Sequence, residues 1–234
     1  MKLLFIRHAE PDYSIDSLTE KGFREAGLLA DWLEKIPVRD FFVSPLGRAR
    51  DTARPTLERL GRQAEVLDWL QEFYVPVKDP DTGDDRIPWD FMPGYWTRQP
   101  LLYDKDRWMD SDIMQTGEIR KRYQAVCKGI DGLLARYGYI REGNFYRTEK
   151  GNTDTLAFFC HLGAEFTILS HLLGIAPPCL WQGFFVAPSS WTLLCTEERV
   201  KGEAYFRCRT LGNTLHLGMA GEPDSDMGFF TEVF

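Results

Sequence analysis

Short apolar runs alternate with helical stripes along the first third of the chain. The run LLFI near the start is uniformly apolar, as expected for a strand that is buried on both faces. Apolar residues then recur at helical spacing from Phe23 to Leu33, and Ser17 and Glu20 have the spacing of a capping box ahead of them. The pattern predicts a strand, a loop and a helix in that order.

The same unit recurs directly afterwards. DFFV is a second apolar run, and Ser44 and Pro45 stand where an N-cap and a first helical residue are expected. Pro55 lies inside the helical continuation, so we expect a kink or break near Arg54 before the helix ends at Gly61. AEVL then predicts a third short strand.

Regular periodicity is lost between residues 73 and 152, where the sequence is aromatic, acidic and rich in turn residues. We interpret this stretch as an insertion that forms a lid within a single domain, residues 1–234, with a helix from about Thr116 to Tyr137. TLAFFCH restores a buried strand, a helical stripe closed by Gly174 follows, and WTLLCT and YFRCR are typical of a hairpin.

Strands that alternate with helices predict an α/β fold, a three-layer αβα sandwich around a mostly parallel sheet. Ligands of such sheets bind beyond the carboxyl ends of the strands. Arg7 and His8 lie at one such end, residues 44–48 at a second, residues 70–72 beyond a third and His161 at a fourth. Four separate segments are therefore expected to converge on one edge of the sheet.

Cationic side chains dominate this predicted edge. Arg48 can reach back over it, because helical side chains lean toward the helix N-terminus, and the helix after His161 adds free amides and a positive helix end. Taken alone, Arg48 could be a solvated residue and each histidine a structural one. Together with Arg7 and His8 they supply fixed donors around one point, which favours a phosphate group as the ligand.

Composition excludes several other classes of protein. The formal net charge of −7 disfavours a nucleic-acid partner, and the five cysteines lack the spacing of a zinc site or a disulfide framework. The apolar runs are too short for a signal peptide or a membrane span, so we expect a cytoplasmic protein without a membrane partner. Sequence signatures of serine hydrolases, P-loop proteins, dinucleotide-binding proteins and zincins are absent.

Several stretches resemble the motifs of the histidine phosphatase superfamily, also called the phosphoglycerate mutase-like family. RHAEP resembles its Arg-His-Gly signature, and SLTEKGFREA and SPLGRARDTA resemble the two helical segments that follow. CHLGA resembles its second histidine motif, and LGNTLHL resembles its closing strand. The resemblance covers residues 1 to about 75 and 153–217, and so leaves out the insertion and the C-terminal tail.

This resemblance implies phosphoryl transfer through a phosphohistidine, on a small phosphorylated substrate and without a metal or cofactor. His8 would attack phosphorus, Arg7, Arg48 and His161 would hold the equatorial oxygens, and Glu72 occupies the family's proton-donor position. Hydrolysis of a phosphomonoester is the leading interpretation, and a mutase is the alternative. A non-catalytic phosphate-binding module is disfavoured, because all five catalytic positions are filled.

Two further assignments rest on position alone. Ser14 lies six residues after His8, where relatives often place a phosphate-contacting side chain. Other acids could replace Glu72 as proton donor, namely Asp68, Asp84 and Asp85.

Two residues depart from the family pattern, since Ala9 and Leu162 each replace a glycine that follows a motif histidine.

Aromatic residues are dense in the insertion and are expected to cover either a satellite core or the site. The chain leaves the sheet edge near Glu72 and returns to it before His161, so we predict a partly aromatic lid that grips the organic part of the substrate. The aromatic residues concerned are Trp89, Phe91, Tyr95, Trp96, Tyr103 and Trp108. The acidic tail GEPDSDMGFFTEVF is expected to pack on its own domain.

Overall fold

Parallel strands form the centre of the structure, a computed structural model that describes residues 1–229. Within those residues the strands are β1 (Lys2–Arg7), β2 (Pro11–Asp12), β3 (Ser17–Leu18), β4 (Asp40–Val43), β5 (Ala64–Val66), β6 (Val77–Lys78), β7 (Asp85–Arg86), β8 (Ile140–Glu142), β9 (Phe145–Arg147), β10 (Thr155–Cys160), β11 (Trp191–Val200) and β12 (Glu203–Asn213).

Helices connect these strands. In the described part of the chain they are α1 (Glu20–Leu33), α2 (Gly47–Leu60), α3 (Pro93–Trp96), α4 (Asp112–Gln115), α5 (Ile119–Arg136), α6 (Leu162–Leu173), α7 (Pro177–Gly183) and α8 (Leu215–Ala220). Short 3₁₀ turns lie at Asp68–Leu70, Pro100–Tyr103 and Trp108–Asp110. Among residues 1–229, no helix has both the length and the apolar character that crossing a bilayer requires.

Eight of the strands form one sheet, in the order β5-β4-β10-β1-β11-β12-β9-β8. The strands from β5 to β1 are parallel to their neighbours, and those from β11 to β8 are antiparallel. Helices α1 and α2 cover one face and α5 and α6 the other. The predicted αβα sandwich with a mostly parallel core is therefore confirmed.

The register of the central strands places their carboxyl ends level. Arg7 of β1 pairs with Cys160 of β10, and Val43 of β4 pairs with Phe159 of β10. The residues that directly follow these strands therefore emerge at one edge of the sheet. These residues are His8, Ser44 and His161.

Alternate residues of β1 pack into two apolar layers. Leu3 and Phe5 belong to the layer beneath α5 and α6, whereas Leu4 and Ile6 belong to the layer beneath α1 and α2. All four side chains are buried, which explains why the strand is apolar without alternation.

Two helix starts differ from the prediction. The N-cap of α1 is Thr19 rather than Ser17, and the Thr19 hydroxyl accepts a hydrogen bond from a backbone N–H three residues later at 3.0 Å. Helix α2 has Leu46 as its N-cap, not Ser44. The Ser44 hydroxyl is instead 2.8 Å from Nε2 of His161, so this side chain belongs to the sheet edge rather than to the helix.

A kink or a break was expected near Arg54, and the break does not occur, because helix α2 runs continuously through Pro55. A proline in a helix removes the hydrogen bond to the carbonyl four residues earlier, here that of Asp51. Tertiary packing outweighs this loss, because Ala53 and its neighbours bury one face of α2 against α1 and the sheet. The helix ends at Gly61, in the left-handed conformation, as predicted.

The insertion is more closely tied to the sheet than its sequence indicates. Its long helix, α5, lies inside the predicted bounds, but β8 and β9 also extend the main sheet beyond β12. The segment LGNTLHL is only partly a strand, because β12 ends at Asn213 and α8 begins at Leu215. His216 therefore lies on a helix, where its ring contacts the hydroxyl of Ser189 at 3.0 Å.

Candidate active site

His8 is held at the end of β1 as a neutral imidazole. Its Nδ1 lies 2.8 Å from the carbonyl oxygen of Ala9, and since a carbonyl only accepts, Nδ1 carries the proton and Nε2 keeps its lone pair. Burial, followed by the charges of Arg7 and Arg48, places the pKa of His8 well below its usual 6.5. The ring can therefore act as a nucleophile through Nε2.

His161 stands beside His8, with the two ring centroids 5.1 Å apart. Its Nε2 contacts the Ser44 hydroxyl, whereas its Nδ1 is buried without a partner among residues 1–229. Burial, then His8 and the two arginines, lowers its pKa well below 6.5. A buried nitrogen without a partner marks a place where a ligand or an ordered water completes the bonding.

Arg7 is a buried cation that is bonded to neutral groups. Its Nη1 donates to the carbonyl of Val186 at 2.6 Å and its Nη2 to the carbonyl of Met227 at 2.8 Å, while Nε has no partner within residues 1–229. The guanidinium carbon lies 5.4 Å from the ring centroid of Phe185. Carbonyls and an aromatic ring hold the group in place without neutralising its charge, which leaves that charge available to an anion.

Arg48 is oriented by Asp16, a residue that the sequence analysis did not identify. Asp16 accepts from Arg48 Nη1 at 2.6 Å and from the backbone N–H of Gly47 at 2.7 Å, so it caps α2 and positions the guanidinium together. Glycine is required at position 47, because a Cβ there would lie 2.0 Å from the Asp16 carbonyl oxygen. The only sequence signal for Asp16 was the turn-like composition of PDYSIDS.

Glu72 lies where β5 leads into the insertion. Its Oε1 accepts from the backbone N–H groups of Phe73 at 2.7 Å and Ala164 at 3.0 Å. Burial raises its pKa above the usual 4.5, and these hydrogen bonds together with Arg7 and Arg48 oppose the rise. A carboxyl group with a raised pKa beside two cations can serve as a proton donor or acceptor.

A cavity of about 700 Å³ brings Arg7, Arg48 and Glu72 together. Its remaining walls are largely aromatic or aliphatic and come from the N-terminal loop, the start of α2, the insertion, the start of α6 and the C-terminal tail. Those wall residues include Tyr13, Leu46, Tyr74, Ile87, Trp89 and Leu162. Within residues 1–229, no group of three or more His, Cys, Asp or Glu side chains is arranged to hold a metal ion.

His8 and His161 are buried at the sheet edge and do not themselves line this cavity, although His8 directly follows Arg7, which does. Other predicted residues also lie outside it. The Ser14 side chain is exposed and its hydroxyl donates to Asp12 at 2.6 Å, so in this structure it is bonded within its own turn. None of the alternative acids lines the cavity, in contrast to Glu72. Those acids are Asp68 in a 3₁₀ turn, Asp84 directly before β7 and Asp85 as the first residue of β7.

Both departures from the family pattern are accommodated. Ala9 does not have a left-handed backbone, and its N–H donates to the Thr52 hydroxyl at 2.9 Å. Leu162 lines the cavity, and the close approach occurs one residue later, at Gly163. A Cβ on Gly163 would lie 2.7 Å from Glu72 Oε1 and 2.6 Å from the Trp89 ring, so only glycine fits there.

The aromatic residues of the insertion divide between core and cavity. Phe91 and Trp108 are buried in the larger apolar layer, and Trp96 stacks on Tyr103 with ring centroids 5.5 Å apart. Trp89 lines both the 700 Å³ cavity and an adjoining one of about 840 Å³. The insertion thus forms a wall of the site as well as a part of the core.

The C-terminal tail lies against the site as far as it is described. Ser225 is buried and donates to Glu10 Oε2 at 2.7 Å, and the ring of Phe229 lies 5.0 Å from that of Phe185. Between these anchors, Gly228 lines both cavities. Residues 230–234, which end the tail, lie outside the described residues.

Glu165, in the first turn of α6, is a buried acid that the sequence analysis also missed. Its Oε1 has no partner among residues 1–229, and burial raises its pKa to about 7 against the opposing effects of Thr192 and Arg7. The available sequence signal was a single acid within the otherwise apolar start of that helix.

Comparison with known proteins gives one family match. The model of the histidine phosphatase superfamily (branch 1) matches residues 3–85, which contain His8, Arg48 and Glu72. No curated protein matches the chain.

Solved structures share the fold over nearly the whole chain. Mycobacterial glucosyl-3-phosphoglycerate phosphatase is 20% identical, over 91% of this chain and 99% of its own, with a TM-score of 0.63. A mutant phosphoserine phosphatase of Entamoeba histolytica is 17% identical over 92% and 98%, with a TM-score of 0.59. An α-ribazole phosphatase of Shigella flexneri is 19% identical over 91% and 96%, with a TM-score of 0.58.

The chain therefore has the histidine phosphatase fold, and its resemblance to the histidine phosphatase superfamily is confirmed. The family model covers the first and most motif-rich part of the chain, and the shared fold extends to the remainder.

The buried Glu165 predicts a specific pH dependence of stability. Its pKa is higher in the folded protein than the ordinary value of 4.5, so the protonated carboxyl group stabilises the folded state. This stabilisation is fully present below about pH 4.5 and is lost as pH rises through about 7. Glu165→Gln cannot ionise and should gain stability relative to wild type between about pH 5 and about pH 8. Urea unfolding of both proteins measures the difference, with the exposed Glu118→Gln as control. A difference that is constant with pH would contradict the interpretation.

The tail contact predicts competition for Arg7. Gly228 has a φ of 89°, and a Cβ there would lie 3.0 Å from Arg7 Nη2, so Gly228→Ala should loosen the Met227 carbonyl from the guanidinium. The dissociation constant of inorganic phosphate should then fall about two- to tenfold, which is the effect expected when a single hydrogen bond is exchanged. Calorimetric titration measures this change.

Gly221→Ala is the matched control, because its φ is 72° and a Cβ there meets nothing within 4 Å. If both variants bind phosphate as wild type does, the carbonyl and the anion do not compete.

Proposed function

We propose that this protein is a phosphatase that hydrolyses small phosphomonoesters through a phosphohistidine on His8. The observation that carries the proposal is the neutral His8 ring, fixed through Nδ1 by the Ala9 carbonyl and flanked by Arg7, Arg48 and His161. The similar structures named above, each of them a phosphatase, support the same class of reaction.

In the first step Nε2 of His8 attacks phosphorus, so that a nitrogen–phosphorus bond forms while the bond to the ester oxygen breaks. Arg7, Arg48 and His161 hold the nonbridging oxygens and stabilise the charge that they carry in the transition state. Glu72 gives its proton to the departing alkoxide oxygen, which leaves as an alcohol. Its raised pKa keeps a larger protonated fraction than an exposed glutamate has.

In the second step the Glu72 carboxylate takes a proton from water, and the water oxygen bonds to phosphorus as the bond to Nε2 breaks. This restores the neutral imidazole and the protonated acid, and it releases inorganic phosphate. His8 and Glu72 thus complete the cycle while Arg7, Arg48 and His161 hold the phosphoryl oxygens, and no step uses a metal ion. We also infer a cytoplasmic site of action, which the reduced state of the five free cysteines would suit.

Turnover of an aryl phosphate tests this function. Wild type should release phosphate in the presence of a chelator, and His8→Ala should lose activity to background, because the covalent step has no other nucleophile. His171→Ala is a suitable control, since that ring lies 2.9 Å from Asp131, outside the cavity. Wild-type turnover by His8→Ala would contradict the proposal, as would phosphoryl transfer to an acceptor without release of phosphate, which indicates a mutase.

The general-acid role predicts a dependence on the leaving group. Glu72→Gln should lower the rate for alkyl phosphates by about 10²- to 10⁴-fold and the rate for aryl phosphates much less, because a phenolate leaves without protonation. The fall in wild-type kcat as pH rises through the pKa of Glu72 should also disappear. Steady-state kinetics with a series of leaving groups measure both effects.

Asp68→Asn is the matched control for the acid, since Asp68 is close in sequence but does not line the cavity. Equal losses for alkyl and aryl substrates in Glu72→Gln would remove Glu72 from the proton-donor role.

A further inference from the structure

A third arginine, Arg122, reaches the cavity from the insertion. It lies in the first turn of α5, and its side chain lines the same cavity as Arg7, Arg48 and Glu72. Its Nη2 donates to the backbone carbonyl of Gln71 at 3.2 Å, directly beside Glu72. Nothing in the proposed hydrolysis uses this cation.

Arg122 is half-buried, and no acidic side chain of residues 1–229 forms an ion pair with it within 4.0 Å. Burial lowers its pKa, against the opposing charges of the more distant Glu72 and Asp68. Arg120, two residues earlier, is by contrast exposed and pairs with Asp110 at 2.7 Å. A desolvated guanidinium bonded only to a carbonyl is a strong binding group for an anion.

The position of Arg122 relative to Glu72 indicates which part of the substrate Arg122 contacts. Glu72 protonates the ester oxygen in the proposed mechanism, so the organic part of the substrate begins beside Glu72. The Gln71 carbonyl that Arg122 contacts is adjacent to that point in the chain. Arg7 and Arg48 lie with the histidines at the sheet edge, where the phosphate is held, so Arg122 faces the part of the substrate beyond the phosphorus.

We infer that Arg122 binds a second anionic group on the organic part of the substrate, and that the substrate is a phosphomonoester that also carries a carboxylate or another phosphate. This inference rests on the proposed phosphatase function. Tyr74, Ile87 and Trp89 line the same cavity and provide apolar surface for the carbon skeleton between the two anions.

Matched substrate pairs test the inference. Phosphoserine and phosphoethanolamine differ by a carboxylate, and fructose 1,6-bisphosphate and fructose 6-phosphate differ by a phosphate. Wild type should prefer the more anionic member of at least one pair by about tenfold or more in kcat/KM, and the pair that shows the preference identifies the anion. Arg122→Leu should abolish that preference mainly through KM, whereas Arg122→Lys should retain part of it.

Two controls separate this role from others. Arg120→Leu removes a neighbouring arginine that does not line the cavity and should leave the preference unchanged. Arg122→Leu should lose much less turnover of p-nitrophenyl phosphate than of the preferred anionic substrate, because p-nitrophenyl phosphate has no second anion; this remaining turnover also shows that the variant is folded.

Three results would overturn the inference. One is a wild-type enzyme that hydrolyses p-nitrophenyl phosphate but prefers neither anionic member. Another is an equal loss of kcat/KM on all substrates in Arg122→Leu, which would mean that Arg122 acts through Glu72. The third is a wild-type protein inactive on every substrate, p-nitrophenyl phosphate included, which would overturn the proposed function itself.

Discussion

The parallel pairing of β10 with β1 on one side and β4 on the other sets the geometry of the whole site. Because Arg7 is level with Cys160 and Val43 with Phe159, the side chains that follow the three strands meet at one edge without any long loop to position them. The apolar layers on both faces hold this register, since a slip of one residue would exchange the side chains of β1 between two layers that are packed around side chains of different shape.

The charge at this edge follows from how each group is bonded. His8 and His161 adapt to burial by remaining neutral, whereas an arginine keeps its charge even when desolvated. Arg7 is held by carbonyls and Arg48 by Asp16, so the positive potential at the histidines comes from fixed guanidinium groups. A dianionic phosphate neutralises the positive charge of this site. The hydrogen bonds that position the two guanidinium groups therefore also prepare the site for phosphoryl transfer.

The residues at the sheet edge could be predicted from the sequence because the signals for this edge are local. Strands that end in Arg7-His8 and in His161, and a helix that places Arg48 in its first turn, can be recognised within a few residues. Contacts between residues far apart in sequence could not be predicted. Asp16 caps a helix 31 residues away, and the Met227 carbonyl accepts a hydrogen bond from Arg7, 220 residues away in sequence. Packing likewise outweighed local propensity at Pro55, where a kink or break was expected and the helix continues without a break.

The central claim, that His8 carries the phosphoryl group, is tested most directly by rapid quench of wild type mixed with a ³²P-labelled phosphomonoester. The account predicts a stoichiometric label that is stable in alkali and labile in acid, located on the peptide that contains His8 by mass spectrometry and missing from His8→Ala. A label on another residue, or turnover of substrate with no trapped phosphoenzyme at any quench time and an unimpaired His8→Ala, would contradict it.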